Sequence, residues 1–219
     1  MTRGLAVFKN ILLCTLLGVS LVLAQGDALR MQELAKKRYG SEAAQTVYQW
    51  RSLISDISLL SDSQKLQRVN DFFNQRIRFV ADSDTWQQTD YWATPLEFMG
   101  RKQGDCEDFS IAKYTTLLMA GVPMKKLRMT YVRAHFNGLN QAHMILAYYP
   151  YPNADPSLLD NVVQDIRPAS LRKDLTPVFG FNSAGLWVGS ENKLKTNNPG
   201  ANLSRWRDLL LRMELDGLI

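Results

Sequence analysis

The hydrophobic pattern changes period about halfway along the chain, and that switch limits the possible folds more than any other feature. Before residue 120 the apolar positions recur at helical spacing. Leu29 and Leu34, then Val47, Trp50, Leu53, Ile54 and Ile57, lie on helical faces, with Gly40 as the break between two helices. "SDSQKLQRVNDFFNQRIRFV" starts on a capping serine and sets Leu66, Val69, Phe72 and Phe73 along one side. Another helix starts at Cys106, carries Phe109, Ala112, Leu117 and Met119, and stops at Gly121 ahead of Pro123. Beyond it the period falls to two. "LRMTYVRAHF", "QAHMILAYYP" and "DNVVQDIRPA" are short and rich in β-branched and aromatic residues, and they read as consecutive antiparallel strands. The first two form a hairpin about Asn137-Gly138. "NLSRWRDLLLRMEL" reads as a closing amphipathic helix. Helices first and strands later predict an α+β fold, with N-terminal helices packed against an antiparallel sheet. Between the two regimes, "DSDTWQQTDYWATPLEFMGRKQ" reads as an irregular packed loop leading into Cys106.

The chain opens "MTRGLAVFKNILLCTLLGVSLVLAQGDALR". Arg3 and Lys9 precede an apolar run over Ile11–Leu23, and Val22 and Ala24 fit the small-residue pattern of a cleavage site after Ala24. That run is short against the roughly 20 residues needed to span a bilayer. The expectation is an exported protein with a signal peptide over 1–24, one domain over 25–219, and no stable membrane insertion after cleavage. Bulky Leu13 before Cys14 argues against a lipidation site. Removing a leader with two basic and no acidic residues takes the formal charge from +5 to +3, since 5 − 2 = 3. No arginine-rich patch or aromatic platform accompanies that mild charge, which argues against nucleic acid. Nothing in the pattern demands an obligate oligomer, so a monomer is expected.

Cleavage would leave Cys106 as the sole cysteine. An unpaired thiol in an exported protein is an intermolecular link, a reactive group or an inert buried residue. Its setting, "GDCEDFS", is odd for a nucleophile, because Asp105, Glu107 and Asp108 oppose thiolate formation. The helix start works the other way, since its unpaired N–H groups and dipole favour an anion. Asp105 takes the N-cap and Asp108 stands three residues on, a loose capping box.

A thiol nucleophile needs a base, held in turn by a third polar group. Only two histidines exist. His143 begins the apolar strand "HMILAYY", on one face with Ile145 and Ala147, where an imidazole is costly unless hydrogen-bonded. His135 lies near the hairpin tip and reads as a solvated residue, which leaves His143 the better base. Asp160, Asp165 and Asp155 are the candidate orienting acids. Asp160 has the best position, at the matching end of the adjacent strand.

"GDCEDFSIAKYTTLLMAGVP", "AHMILAYY" and "LLDN", with "YWATPLEFMGRKQ" upstream and the leader, resemble the bacterial transglutaminase-like cysteine proteinases of the LapG type. The resemblance implies a papain-like, transglutaminase-like fold. It implies Cys106 as nucleophile, His143 as base and general acid, and Asp160 as orienting acid. It also implies Ca²⁺ as cofactor, bound through Asp105 and Glu107. Asn140, Gln141 or carbonyls near 137–141 are candidates for completing the shell. The family's members are periplasmic endoproteases that clip large repeat-containing surface adhesins near the N-terminus, at a di-alanine bond, and release cells from biofilm. An inner-membrane cyclic-di-GMP receptor of the LapD type restrains them. The same triad would equally serve a transglutaminase or deamidase. A calcium-binding adaptor without activity, or a structural protein with an inert cysteine, are the non-catalytic alternatives.

Overall fold

Helix α6 (Cys106–Met119) is the axis of the molecule, and nearly all of its residues are buried. In the computed structural model, which describes residues 29–188 and 193–219, it lies between a helical layer and the inner face of a seven-stranded sheet. The leader expected over 1–24 falls outside the described residues. The helical layer comprises α1 (residues 29–39), α2 (Ser41–Ile57), α3 (Asp62–Arg76), α4 (Asp82–Thr85) and α5 (Pro95–Arg101). Gly40 separates α1 from α2 at φ 92°, a left-handed angle that glycine adopts without strain. α3 starts with a capping box in which Ser61 and Gln64 satisfy each other's backbone N–H.

A helix buried on every side must satisfy its own polar side chains. In α6 the Ser110 hydroxyl donates to the Met144 carbonyl at 3.1 Å, and the Trp50 indole N–H donates to Thr116 at 2.7 Å. Trp50, Phe73, Phe98, Phe181 and Trp206 form an aromatic core around it, and the helix adds its own Tyr114. Gly121 (φ 85°) ends the helix, with the Val122 N–H returning to the Leu117 carbonyl.

A two-stranded parallel pair, β1 (Arg78–Phe79) and β2 (Gln103–Gly104), delivers the chain to the start of α6. A Cβ on Gly104 would lie 2.3 Å from the Asp108 carboxylate and 2.7 Å from the Phe98 ring. Gly104→Ala should therefore cost about 1–3 kcal/mol through overpacking, lowering the melting temperature by roughly 5 °C. An unchanged thermal unfolding curve would show that this approach is not tight.

The sheet comprises β3 (Leu127–Phe136), β4 (Leu139–Tyr148), β5 (Ser157–Leu159), β6 (Arg167–Pro168), β7 (Leu175–Asn182), β8 (Gly185–Val188) and β9 (Lys193–Thr196), in the order β6-β5-β4-β3-β7-β8-β9. Every pairing is antiparallel. The β3–β4 hairpin turns at Asn137 (φ 52°) and Gly138 (φ 80°), the left-handed pair that two-residue hairpins require. The closing helix α7 spans Ser204–Leu215, and its Trp206 enters the core.

The α+β expectation holds, with three differences. "DNVVQDIRPA" is not one strand: β5 ends at Leu159, β6 is only Arg167–Pro168, and residues 160–166 turn between them. The Asp160 side chain captures the Val162 N–H at 3.0 Å, an Asx-type turn that ends the ladder despite the β-branched Val162-Val163. Strands β7–β9 were not anticipated, because Pro177 and Gly180 interrupt the pattern. Pro177 is accommodated where the β3–β7 register shifts. The loop before Cys106 contains helix α5, started by Thr94, Pro95 and Glu97 in a capping box with proline in the first turn.

Candidate active site

Cys106 occupies the first helical position of α6, and Asp105 is its N-cap. Asp105 accepts from the Glu107 N–H at 3.2 Å, and Asp108 returns the bond by accepting from the Asp105 N–H at 3.4 Å. Cys106 is buried and, among the described residues, is the free cysteine. It opens onto a cleft of about 420 Å³ that His143, Phe136, Phe79 and Val162 also line.

His143 comes to that cleft from β4, where it pairs across from Val132. Its ring is buried, with the Phe136 ring edge-on at 5.6 Å. Leu159 pairs with Leu146, so extending the β4–β5 register one step places Asp160 diagonally from His143. Asp160 Oδ1 lies 2.9 Å from His143 Nε2. Burial alone would raise the Asp160 carboxyl. The His143 hydrogen bond and charge, the Val162 N–H and the Arg172 guanidinium outweigh it and hold the group at about 2. Asp160 is therefore an ionised acceptor, so Nε2 carries the proton and Nδ1 is left to take one from the cleft.

The surroundings of Asp160 are denser than the sequence suggested. Its carbonyl accepts from Asn74 Nδ2 at 2.8 Å and from Lys113 Nζ at 3.1 Å. Lys113 also donates to Asn70 at 2.9 Å, and burial pushes its ammonium down to about 7. Arg172 reaches Asp160 Oδ2 at 2.8 Å.

The structure brings Cys106, His143 and Asp160 to one place and leaves the alternatives outside it. Asp165 is exposed and pairs with Arg167, while Asp155 caps the Ser170 N–H. His135 is exposed on β3 at the cleft's edge, with Nδ1 3.0 Å from Asn140 Oδ1. That contact engages the Asn140 oxygen, one of the candidates for a metal shell.

Carboxylates gather on the other side of the thiol. Ligand atoms of Asp105, Cys106 and Glu107 lie within 4.8 Å of one another, and so do those of Asp82, Asp105 and Asp108. The Cys106 thiol donates to Glu107 Oε2 at 2.7 Å. Burial first, then the Glu107 and Asp105 charges, push that thiol well up, and the Met144 backbone N–H only partly opposes them. Burial and the Glu107 charge push Asp105 to about 10. Burial takes Asp82 to about 6 and raises Asp108 well above the carboxylate range. Asp108 spends its oxygens on the Ala93 and Asp105 N–H groups, and Asp82 Oδ2 accepts from Tyr91 N–H. Asp82 Oδ1 is buried without a partner. Apart from the thiol, these ligand atoms are carboxylate oxygens, and with one unmet buried acceptor among them they suit a hard divalent cation, for which thiolate is a poor ligand. Sequence reasoning missed Asp82, which lies over twenty residues upstream with no spacing to betray it, and Arg172.

These elements define a transglutaminase-like cysteine proteinase. The chain matches the bacterial transglutaminase-like cysteine proteinase (BTLCP) family over residues 38–172 and belongs to it. Legionella pneumophila LapG is similar in structure, at 38% identity and TM-score 0.73 over 85% of this chain and 97% of that one. Its EGTA-treated form gives 38% and 0.74, again over 85% and 97%. Its calcium-bound form gives 38% and 0.73, over 85% and 98%. No curated protein matches the chain. Among the described residues no helix is long and apolar enough to cross a membrane.

Proposed function

We propose that the protein is a calcium-dependent cysteine endoprotease of the periplasm. Its substrate would be the N-terminal region of a large repeat-containing surface adhesin, cut at a di-alanine bond to release cells from biofilm. An inner-membrane cyclic-di-GMP receptor of the LapD type would hold it in check. The observation that carries the catalytic part is the buried His143–Asp160 pair on the cleft that Cys106 lines.

In this reading Cys106 Sγ attacks the scissile carbonyl carbon, and its proton passes to His143 Nδ1. The carbonyl oxygen becomes an oxyanion beside the Cys106 backbone N–H, which lies in the first turn of α6 outside the helical ladder. The C–N bond breaks as His143 gives the proton to the leaving amine. His143 then deprotonates a water that attacks the thioester, releasing the carboxylate and restoring the thiol. Asp160 keeps the imidazole in the required tautomer and balances its charge when protonated.

Asp105 and Glu107, with the free oxygen of Asp82, would hold Ca²⁺, whose charge when bound eases ionisation of the adjacent thiol. The calcium-bound and EGTA-treated forms of the Legionella protein support this choice of ion.

Wild type and Cys106→Ala are incubated with an adhesin N-terminal fragment from the same genome, with Ca²⁺ or a chelator. Specific cleavage by wild type with Ca²⁺ alone is expected. Cleavage by Cys106→Ala would remove the nucleophile assignment. Incorporation of a small amine into glutamine side chains, without cleavage, would replace hydrolysis by acyl transfer.

A further inference from the structure

Arg172 is a nearly inaccessible guanidinium that no account of the Cys-His-Asp chemistry requires. It follows a short 3-10 turn, Ala169–Leu171, in the connection from β6 to β7. Ala169 from that connection and Leu175 from the start of β7 pack on the outer face of the sheet against Val132, Ile145, Ala147 and Leu158. From there Arg172 Nη2 donates to Asp160 Oδ2 at 2.8 Å and to Asp174 Oδ2 at 2.7 Å. Nε completes the fork on Asp174 at 3.0 and 3.2 Å. Asp174 is anchored in turn, its carbonyl accepting the His135 N–H at 2.8 Å.

As a stabilising device this is poor. Arg172 Nη1 is buried with no partner, and an unmet buried donor carries a desolvation cost. As a device for the triad it is apt. Asp160 has two oxygens, and the site needs one of them aimed at His143 as an ionised acceptor. Oδ1 serves His143 and the Val162 N–H, while Arg172 occupies Oδ2 and fixes the rotation of the carboxylate.

The other charged groups do not duplicate that contact. Lys113 from α6 reaches the Asp160 carbonyl rather than its carboxylate, with Asp71 acting on Lys113 in turn. Cys106 lines the cleft that His143 faces, and Glu107 is bonded to the thiol.

We infer that Arg172 is a positioning residue: it neutralises Asp160 and fixes its orientation, so that the carboxylate holds the His143 Nε2–H and leaves Nδ1 to act as the base. The inference rests on the triad reading above. Without the guanidinium, the buried carboxylate would have His143 as its nearest counter-charge, and the Asp160–His143 pair would take up a proton at higher pH. That proton removes either the base or its acceptor.

The test follows the His143 ring signals by NMR across the acid range in the full chain, assigned by difference against His135→Asn. With Arg172→Gln, the pair should gain its proton at a pH about one unit or more above wild type. Cleavage of the adhesin fragment should lose about tenfold or more in kcat, with KM within about twofold. Arg172→Lys, which keeps the charge, should hold the titration within about 0.3 unit while lowering kcat a few-fold. Asp174→Asn should leave the titration in place. A wild-type titration in Arg172→Gln overturns the inference. So does an equal shift in Asp174→Asn, which would reduce Arg172 to a strap on its own loop. Should Arg172→Gln fail to fold, the other two variants decide: a shifted titration in either overturns it, and an unshifted one in both, with kcat lowered in Arg172→Lys alone, supports it. The ring titration needs no substrate, so failure of wild type to cleave any adhesin counts against the protease reading and leaves Arg172 testable.

Discussion

Asp160→Asn should reduce cleavage by about three to four orders of magnitude while leaving the fold recognisable. The argument is one of donors and acceptors. Asp160 receives three N–H groups: His143 Nε2 and Val162 N at Oδ1, and Arg172 Nη2 at Oδ2. An asparagine has one oxygen and one NH₂ to fill those two positions. With the oxygen toward Arg172, the NH₂ faces His143 and the Val162 N–H, so the imidazole must accept at Nε2 and carry its proton on Nδ1. That is the wrong tautomer for a base facing Cys106. With the oxygen toward His143, the NH₂ meets the guanidinium, two donors in a dry pocket. Either choice also leaves Arg172 with Asp174 as its remaining carboxylate. Loss of the buried charge should cost about 3 kcal/mol, or roughly 10 °C in melting temperature. Because Asp160 is held at about 2, its stabilisation is present above the ordinary carboxylate range and is lost only as pH falls toward that value. At neutral pH the variant should therefore show the full deficit. Single-turnover kinetics and thermal unfolding check the two effects separately, and a variant within tenfold of the wild-type rate would remove Asp160 from the machinery.

What the sequence showed and what it hid divide along physical lines. Cys106 was legible because a helix start has local signals: a capping acid and a following apolar period. His143 was legible because a lone imidazole in a buried strand is costly unless it serves something. The Asn137-Gly138 turn set the hairpin from two residues. Arg172 was invisible, since its partner is twelve positions away and the segment between them holds only a turn, a two-residue strand and a short 3-10 turn, none long enough to show a period. Asp82 was hidden for the same reason, because its nearness to Asp105 depends on how α4 packs. The capping box at Thr94, Pro95 and Glu97 is a different case. Its signal stood in the sequence, but two tryptophans and a proline nearby suggested a loop.

Removal of divalent cations should destabilise the protein more as pH rises, and the cause lies in Asp105 and Asp82. In the cation-free state burial first, and then the Glu107 charge, raise both carboxyls, Asp105 to about 10 and Asp82 to about 6. Unfolded, each titrates near 4. Through the interval between, the folded state holds protons that the unfolded state has released, so stability falls with rising pH. The contribution is fully present below the unfolded value. It is lost through about 6 for Asp82 and through about 10 for Asp105. For Asp82 alone the loss is on the order of 2 kcal/mol, allowing for partial screening. A bound divalent cation replaces those protons, and its own binding weakens in acid as protons compete for the same oxygens. The melting temperatures with Ca²⁺ and with chelator should therefore converge in acid and diverge in base. Calcium at about a thousand times its dissociation constant adds about 4 kcal/mol, which is roughly 8–15 °C for a chain of this size. Glu107→Gln should shrink the gap by removing one ligand, and Asp82→Asn should do so through the oxygen that now lacks a partner. Thermal unfolding across pH with both additives measures this without any substrate. A gap that is flat with pH, or that widens in acid, would show that these carboxylates do not hold the ion.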